Sequence, residues 1–380
     1  MKHPFLMTPG PSPLAPEVKQ ALSKDIIHHR TAEFRSILKE VHSGLKYVFQ
    51  TQNPVLVLSS SGTGAMEAAV TNLLSRNDKI LVVVGGKFGQ RWQEICQSYS
   101  LNVVSWEIEW GSSPSVIELE NLLDKHSDIK AVFTTLCETS TATVYDIEAT
   151  AKVCRQRDIL LIVDAISGLG SDVLKTDEWG VDVVVAGSQK GLMLPPGLSF
   201  ISLSPKAQAA LETSNLPHYY FDLKKALKSY AKDDTPYTAS VSLVIALREA
   251  LKLIKNEGIE KRWEDFSRIG EALRRALETL GFGIFSRSPS ASVTAGEVKS
   301  MDASLIIKKM ASDFGITIAG GQAELKGKII RIAHMGYINA SDVLTCLAAL
   351  EEVVQSLGKN IERGKSLKTF QEAYCVQNSN

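Results

Sequence analysis

The stretch DVVVAGSQKGLMLPPGLSFISLS, residues 182–204, places one lysine between two apolar segments. Residues 183–186 form a continuous apolar run of the kind found in buried strands, and residues 198–203 form a second, mostly apolar stretch. Lys190 lies in the short turn that follows the first run. A lysine is costly to bury unless it is paired, neutral or covalently bonded, so either this amine has a chemical role or it extends to solvent.

The same kind of apolar run recurs upstream, in alternation with amphipathic helical patterns. Continuous apolar strands that alternate with helices predict a mostly parallel sheet covered by helices on both faces, which is an α/β fold. We expect seven strands in this unit, at residues 54–58, 79–84, 101–110, 129–135, 159–165, 181–187 and 198–204.

Further segments flank this α/β unit on both sides. A proline-rich arm comes first, and long helical patterns follow the unit at residues 242–258 and 262–281. The C-terminal part combines the short strand patterns GITIAG and KIIRIAH with a final helix at about residues 341–357. We therefore predict an N-terminal arm at residues 1–20, a large domain at 21–260 and a smaller α+β domain at 261–380.

Composition and charge narrow the class of protein. Basic and acidic residues balance at 42 each in 380 residues, without a dense basic run, which argues against binding to nucleic acid or to an anionic membrane. No stretch is long and apolar enough for a membrane span, and the proline-rich start lacks the pattern of a signal peptide. The five cysteines are scattered without metal-ligand or redox spacing, so we expect a cytoplasmic protein without a metal site.

Polar residues follow several of the predicted strands, at the edge where open α/β sheets bind ligands. The stretch SSSGTGAME, residues 59–67, opens a helix whose N-terminal amides can bind a phosphate, although an ordinary glycine turn explains it equally. It matches neither the Rossmann fingerprint nor the P-loop. Phe88, Ser140 and Asp164 also stand at strand ends, where a core aromatic, a polar turn and a strand-end cap are the ordinary interpretations.

Taken together, these strand-end residues match the needs of pyridoxal phosphate. A phosphate turn, an aromatic, an aspartate and a lysine occur in that order at successive strand ends. The lysine forms a Schiff base, and the aspartate keeps the pyridine nitrogen protonated so that the ring can accept electrons. The aromatic stacks on the ring, and the helix N-terminus holds the phosphate. A nicotinamide cofactor would use none of the lysine chemistry.

The sequence resembles the class V aminotransferases of the alanine–glyoxylate and serine–glyoxylate type, and within them a cyanobacterial branch labelled soluble hydrogenase subunit. The resemblance covers nearly the whole chain. It implies a homodimer of fold type I, the pyridoxal phosphate-dependent transferase fold, with a mostly parallel seven-stranded sheet in the large domain. It rests on the stretches MTPGPSPLAPEV, HHRTAEF, YVFQTQN, SGTGAMEAA, GGKFGQRW, ETSTATV, IVDAISGLG, GSQKGLMLPPG, TPYT and IAGGQAELKGKIIRIAHMG.

The resemblance also implies roles for individual residues. Lys190 takes the position of the Schiff-base lysine, and Asp164 that of the partner of the pyridine nitrogen. Arg331 matches the arginine that holds the substrate carboxylate, whereas the residues alone also allow a solvated arginine on an edge strand. The implied cofactor contacts are Phe88 on the ring, Ser61, Gly62 and Thr63 at the phosphate, Gln189 and Ser140 nearby, and Thr238 on the phosphate of the neighbouring subunit.

Two positions depart from the family pattern. The stretch TSTAT has Ala142 where relatives usually have glycine, and PYTASV lacks the proline that is common after the threonine, here Thr238. The first change affects a turn beside the expected cofactor, and the second affects the expected contact between subunits. Neither removes a residue to which the resemblance gives a role, but both leave the choice of substrate open.

The implied reaction is a ping-pong transamination through a Lys190 aldimine, in which alanine or serine gives an amino group and glyoxylate or pyruvate receives it. Two alternatives stay open. A cysteine desulfurase or lyase on the same fold would need a reactive cysteine on a mobile loop, and Cys137 is the candidate at a strand end. A non-enzymatic accessory subunit of a redox complex is the other alternative, although all the expected cofactor positions are filled.

Overall fold

The computed structural model describes residues 5–299 and 301–376. Residues 1–4 of the predicted arm and residues 300 and 377–380 of the predicted small domain lie outside the described residues. Within the described part, no helix is both long and apolar enough to cross a membrane. The helices are α1 Pro16–Leu22, α2 Ala32–Phe49, α3 Gly62–Leu73, α4 Lys87–Ser98, α5 Val116–Lys125, α6 Ile147–Gln156, α7 Thr176–Trp179, α8 Pro205–Ala210, α9 Leu223–Tyr230, α10 Val241–Glu257, α11 Ile259–Thr279, α12 Ala303–Phe314, α13 Ala340–Ser356 and α14 Lys365–Val376.

The strands form a large sheet, a smaller sheet and two short pairings. They are β1 Phe5–Leu6, β2 Val55–Leu58, β3 Lys79–Val84, β4 Asn102–Glu107, β5 Ile129–Thr135, β6 Cys137–Glu138, β7 Thr143–Val144, β8 Leu160–Asp164, β9 Val183–Gly187, β10 Ser199–Leu203, β11 Gly283–Ile284, β12 Val293–Glu297, β13 Ile316–Thr317, β14 Ala319–Gly320 and β15 Ile329–Ala333.

The large sheet confirms the predicted mostly parallel, seven-stranded α/β fold. Its strand order is β2-β10-β9-β8-β5-β3-β4, and only β10 runs antiparallel to its neighbours. β8 and β9 are adjacent and parallel, with Val163 opposite Val184. Because parallel neighbours end at the same edge, Asp164 at the end of β8 and the turn after β9 come together there.

The alternation of side chains along β8 and β9 explains why both strands are apolar throughout. Leu161 and Val184 face a core that includes α2 and α10, whereas Ile162 and Val185 face a second core that includes α3 and α4. Successive residues of a strand point to opposite faces, and here helices cover both faces. The sheet edge is thus the place at which polar side chains can gather.

The smaller sheet has the antiparallel order β11-β12-β15-β14 and packs with α11, α12, α13 and α14 around a third core. The predicted strand GITIAG is divided: β13 pairs with β1, and β14 pairs with β15. The last predicted helix is α13, and α14 follows it without having been predicted. The predicted boundary at residue 260 falls at the start of α11, and the domain limits stay a prediction.

The described part of the N-terminal arm lies between the two sheets of its own chain. β1 pairs with β13, and the Ala333 amide donates a hydrogen bond of 2.8 Å to the Met7 carbonyl. Ser12 then donates its amide to the Gln189 carbonyl at 3.0 Å, beside Lys190. The described start of the arm is therefore bonded to both sheets' surroundings within its own chain.

Candidate active site

Asp164 is a buried carboxylate at the carboxyl end of β8. Asp164 is only 4% exposed, and its Oδ1 atom accepts a hydrogen bond of 2.7 Å from the Ile166 amide. Burial raises the pKa of Asp164 to about 7, against a smaller opposing effect of the Ile166 amide. The strand-end cap and the cofactor contact are compatible, because the cap uses one carboxylate oxygen and the carboxylate has a second.

Lys190 lies in the turn after β9 and is 9% exposed, so its amine does not extend to solvent. Burial lowers the pKa of Lys190 to about 8, although the nearby Asp164 carboxylate acts in the opposite direction. Nζ donates a hydrogen bond to the carbonyl oxygen of Pro9, in the N-terminal arm. The structure therefore brings the predicted aspartate and lysine into one buried, charge-coupled site.

Arg262, which no sequence pattern singles out, fixes the turn that carries Lys190. This buried arginine of α11 donates to the carbonyls of Gly191 at 3.2 Å and Gly336 at 2.9 Å, and to that of Gly170 at 3.0 Å. Its guanidinium is paired with Glu257. In the sequence it stands within the charged run EKRWED, where nothing separates a buried arginine from a solvated one.

Glu138, in β6, is a second functional candidate that was missed. It is fully buried, and burial raises the pKa of its carboxyl group. Oε2 accepts from the amides of Phe88 and Gly89 at 3.0 Å each, and Oε1 accepts from the Ser140 hydroxyl at 2.5 Å. A carboxylate near the end of a predicted strand was the available signal, because Glu138 stands three positions after the strand predicted at residues 129–135.

Ser140 and Phe88 are both held by this carboxylate at the start of α4. The Ser140 hydroxyl also accepts a hydrogen bond of 3.1 Å from the Lys87 amide. The Phe88 ring is half-buried, and the guanidinium carbon of Arg91 lies 4.9 Å from its centroid. Arg91 lowers the pKa of Asp164 and of Lys190 through its charge, so the Phe88 side of α4 faces the same site.

The predicted phosphate turn is the N-terminus of α3. Ser61 precedes the helix without capping it by its side chain, and the first amides of a helix have no partner within it. A Cβ atom added to Gly62 would lie 2.5 Å from Cδ1 of Ile166, two residues after Asp164. The turn of Ser61, Gly62 and Thr63 therefore packs beside the aspartate, with amides available to an anion.

Gln189 provides an unsatisfied acceptor next to this turn. Its Oε1 atom is buried and has no hydrogen-bond partner among the described residues. A Cβ atom on Gly187 would lie 3.0 Å from this oxygen and 3.4 Å from Cγ2 of Ile166. Buried polar atoms without a partner are rare, and each marks a place where a bound group can complete the hydrogen bonding.

Arg331 reaches the site from the smaller sheet. It is 5% exposed and lies on β15, between β12 and β14, so the interpretation as a solvated arginine on an edge strand is wrong. Nε donates to the Gly320 carbonyl at 2.9 Å, and Nη1 donates at 2.8 Å to the carbonyl of Thr139, in the turn between β6 and β7. Burial lowers the pKa of Arg331 to about 10, and the Glu138 carboxylate opposes that shift.

Thr238 is not brought to Lys190 within the chain. It is exposed in the segment before α10 and lines an apolar pocket with Ser59, Tyr220 and Phe221. The Ser240 hydroxyl donates a hydrogen bond of 3.1 Å to the Ser59 hydroxyl in the same place. Thr238 therefore adjoins the segment that leads into the phosphate turn, on the outer surface of the chain.

Cys137 and Ala142 bear on the questions that the sequence left open. Cys137 is buried in β6, and burial raises the pKa of its thiol to about 12, so it lacks the thiolate character of a reactive cysteine. Ala142 has a φ of 58°, which is the left-handed conformation that glycine adopts readily. Ala142 thus has a backbone conformation that a glycine would adopt without strain.

The residues of the site fit pyridoxal phosphate. The buried carboxylate of Asp164 suits a protonated ring nitrogen, and the low pKa of Lys190 suits an amine that bonds to an aldehyde. The amides at the start of α3 suit a phosphate, and the Gln189 oxygen lacks a partner. These features come from separate elements that converge on one edge of the large sheet.

Comparisons with known proteins agree with this site. A family model described as Aminotransferase class-V matches residues 7–354. The chain is 42% identical over 359 residues to the protein named soluble hydrogenase, small subunit, of Synechococcus sp., covering 93% of this chain and 94% of that protein. It is 35% identical over 378 residues to the L-aspartate–glyoxylate aminotransferase of Paracoccus denitrificans, covering 97% and 96%.

A solved structure gives the same result for the fold. The alanine–glyoxylate aminotransferase from Nostoc sp. superposes with a TM-score of 0.89 at 31% identity, covering 93% of this chain and 96% of that one. The likeness extends through both sheets, since it includes nearly all of each chain.

Asp164→Asn should change how the stability of the cofactor-free protein depends on pH. Burial raises the folded-state pKa of Asp164 from 3.8 to about 7, so its stabilising protonation is complete below the unfolded value and is lost as pH rises through about 7. The asparagine variant lacks this titration. Between about pH 4 and 8, the free energy of unfolding of the wild type should fall by about 3–4 kcal/mol relative to the variant.

Urea unfolding at several pH values measures this difference. Asp25→Asn removes an exposed carboxylate and serves as the control for a carboxylate lost at the surface. A difference between Asp164→Asn and the wild type that stays constant with pH would show that the Asp164 carboxylate is not held in the buried environment described.

Proposed function

The chain belongs to the class V aminotransferases, a pyridoxal phosphate-dependent family, and on that premise we propose that it transfers the amino group of alanine or serine to glyoxylate or pyruvate. Transamination between an amino acid and a 2-oxo acid is the reaction of the family. The proposal adds the substrates and the residues that handle them. Its main support is the buried pair of Asp164 and Lys190 with Arg331 reaching the same site from the smaller sheet.

Pyridoxal phosphate supplies an electron-deficient ring that takes up an amino group and returns it. We assign the contact with the ring nitrogen to Asp164. Its carboxylate is buried away from water, so it gains from sharing a proton with the ring nitrogen. The phosphate is assigned to Ser61, Gly62 and Thr63, and the face of the ring to Phe88. Further contacts are assigned to Ser140 and Gln189.

Lys190 is the proposed base that moves the proton at the α-carbon of the substrate. An ordinary lysine is almost wholly protonated near neutral pH, whereas a pKa of about 8 leaves a usable neutral fraction. Asp164 opposes this shift, and Arg331 and Arg91 favour it through their charges. The burial that makes this amine costly is therefore also what makes it a competent base.

Arg331 is the proposed anchor for the substrate carboxylate. Its guanidinium donates to the carbonyls of Thr139 and Gly320, which are neutral acceptors. A carboxylate accepts two parallel hydrogen bonds from an arginine and binds more strongly than a carbonyl. Because amino acid and oxo acid share the carboxylate, one arginine can orient both substrates, and its place on the smaller sheet allows closure that excludes water.

The substrate names of relatives support glyoxylate as the acceptor. The Paracoccus denitrificans relative and the Nostoc sp. structure are both named for glyoxylate, with aspartate and alanine as the respective donors. Alanine and serine need only the carboxylate contact of Arg331, whereas aspartate would need a second cationic contact. Aspartate therefore belongs in any test of the donor.

Half-reactions with single amino acids test the proposal. Purified enzyme loaded with cofactor is mixed with alanine, serine, aspartate or cysteine, and the visible absorbance of the bound cofactor is followed. Alanine or serine should discharge this absorbance fastest, and glyoxylate or pyruvate should restore it. Lys190→Ala should lose turnover by several orders of magnitude, because both the bond to the cofactor and the proton transfer are removed.

Two results would contradict the proposal. Near-normal turnover of Lys190→Ala without added amines would show that Lys190 is not the base. An absorbance change with aspartate alone would show that alanine and serine are not the donors. Release of sulfide from cysteine would support the desulfurase alternative, which the buried and weakly acidic Cys137 disfavours. A protein that binds no cofactor would support the accessory-subunit alternative.

Arg331→Leu should keep the cofactor and its absorbance but raise the apparent KM of donor and acceptor together, by about 10- to 100-fold, since charged hydrogen bonds are lost. Arg331→Lys should restore part of this loss, because a point charge cannot make the paired bonds. Steady-state kinetics with both substrates measures the effect. Unchanged KM values in the leucine variant would place the carboxylate elsewhere.

We further propose a homodimer in which Thr238 contacts the phosphate bound by the partner subunit. An exposed aromatic cluster adjoins Thr238: Tyr219 is 76% and Tyr220 is 48% exposed, and the Tyr237 ring stacks on both. Exposed apolar patches of this kind are typical of protein interfaces. The pocket shared with Ser59 places this cluster beside the segment that leads into the phosphate turn.

Tyr220→Asp should convert the dimer into monomers and weaken cofactor binding, because a charge in an apolar interface is costly to desolvate. Light scattering gives the mass, and equilibrium dialysis gives the affinity for the cofactor. Leu305→Asp is a matched control, since Leu305 is 49% exposed on α12. A wild-type enzyme that is fully active as a monomer would contradict the dimer.

We also propose a cytoplasmic location, as expected from the cysteine spacing. All five cysteines are free thiols, and four of them are buried. Free thiols are typical of reducing compartments, whereas a protein of an oxidising compartment commonly forms disulfides. Fractionation of cells that express the tagged protein would locate it directly.

A further inference from the structure

The N-terminal arm is fixed on both sides of the segment that touches Lys190. On one side, Met7 donates its amide to the Thr317 carbonyl at 2.9 Å and accepts from Ala333. On the other side, the Ser12 hydroxyl donates to the carbonyl of Lys190 itself at 2.8 Å. The intervening segment is therefore anchored to the smaller sheet and to the lysine turn at once.

The segment between these anchors is internally bonded. The Gly10 amide donates to the Thr8 carbonyl at 2.7 Å, and the Thr8 hydroxyl donates to the Pro11 carbonyl at 3.0 Å. Proline also restricts the backbone at positions 9 and 11. A short segment that is anchored at both ends and bonded within itself can hold one carbonyl oxygen in a defined place.

The carbonyl held in this way is that of Pro9, which accepts the hydrogen bond from Nζ of Lys190. Gly10 then packs directly on the lysine side chain. A Cβ atom at Gly10 would lie 2.3 Å from Nζ and 2.5 Å from both Cδ and Cε, and Gly10 has a φ of +109°. Only glycine leaves room for the lysine here and adopts this backbone conformation without strain.

A carbonyl in this position affects both protonation states of the amine. A neutral amine that donates one hydrogen to a carbonyl keeps its lone pair free, in a direction that the hydrogen bond fixes. The ammonium form gains more from the same carbonyl, because hydrogen bonds to charged groups are stronger. The other charged or titratable groups that act on Lys190 are Asp164 from β8, Arg331 from β15, Cys137 from β6 and Arg91 from α4.

We propose that Pro9 and Gly10 are positioning residues for the reaction: the Pro9 carbonyl holds the free amine of Lys190 with its lone pair directed to the substrate, and Gly10 leaves the space that this arrangement requires. The inference rests on the role of Lys190 in the proposed function. It gives the arm a function within its own chain, in addition to its hydrogen bonds with β13, Ala333 and the lysine turn.

Gly10→Ala tests this inference, with Gly358→Ala as the matched control. Gly358 also has a positive φ, +89°, but a Cβ there would meet nothing within 4 Å. Both variants thus place a Cβ on a residue with a positive φ, and only the first displaces the amine from the Pro9 carbonyl. The first measurement is made on the full-length, cofactor-free protein: the rate of Lys190 acetylation by acetic anhydride as a function of pH, read by mass spectrometry.

The midpoint of this labelling curve should shift to lower pH by about one unit in Gly10→Ala, because the ammonium form loses its acceptor. In the loaded enzyme, kcat should fall by about tenfold or more while the KM of the donor stays within about twofold, since Arg331 is untouched. The Gly358→Ala variant should match the wild type in both measurements. A folded Gly10→Ala variant with the wild-type midpoint and kcat would overturn the inference.

Pro9→Gly provides a second test that adds no atoms next to the lysine. Glycine at position 9 keeps the backbone carbonyl but allows it more conformations than proline does. The labelling midpoint should therefore shift in the same direction by a smaller amount. If Gly10→Ala does not fold, a wild-type midpoint in Pro9→Gly would overturn the inference. Failure of the proposed function would show differently, as wild-type turnover in Lys190→Ala, whereas the labelling curves report on the amine without any turnover.

Discussion

Burial of the Lys190 amine beside the Asp164 carboxylate is the constraint on which the rest of the site depends. Adjacent parallel strands, β8 and β9, bring the two groups to one sheet edge. Desolvation lowers the pKa of the amine and raises that of the carboxyl, while their mutual attraction opposes both shifts. Both groups therefore titrate close to neutrality, which is where a proton can be moved between groups at little cost.

Keeping such a pair in place requires contacts from outside the large sheet. Arg262 of α11 ties the carbonyl after Lys190 to the smaller sheet, and Ser12 of the arm binds the carbonyl of Lys190 itself. Arg331 crosses in the same direction, from β15 to the Thr139 carbonyl. These contacts join the lysine turn or its surroundings to α11, to the arm and to β15, so a movement of any of these elements would change the position of the amine.

The sequence predicts the part of this arrangement that follows from periodicity and strand ends. Apolar runs identify β8 and β9, and a polar residue at each end identifies Asp164 and Lys190. Glu138 carried the same signal and was overlooked. Arg262 and the Pro9 carbonyl carry no such signal. In the sequence, a buried arginine of a charged helix looks like a solvated one, and every residue has a backbone carbonyl.

The departure at Ala142 shows why substrate choice is not decided by the turn in which it lies. With a φ of 58°, Ala142 accepts the strain of a left-handed residue, a cost of about 1–2 kcal/mol, and leaves the course of the backbone unchanged. The same turn places the Thr139 carbonyl on Arg331 and the Ser140 hydroxyl on Glu138. These contacts form in a backbone conformation that a glycine would also adopt, so they do not depend on which of the two residues stands at position 142. Discrimination among donors must then come from groups that face the side chain of the substrate, beyond the carboxylate that all donors share.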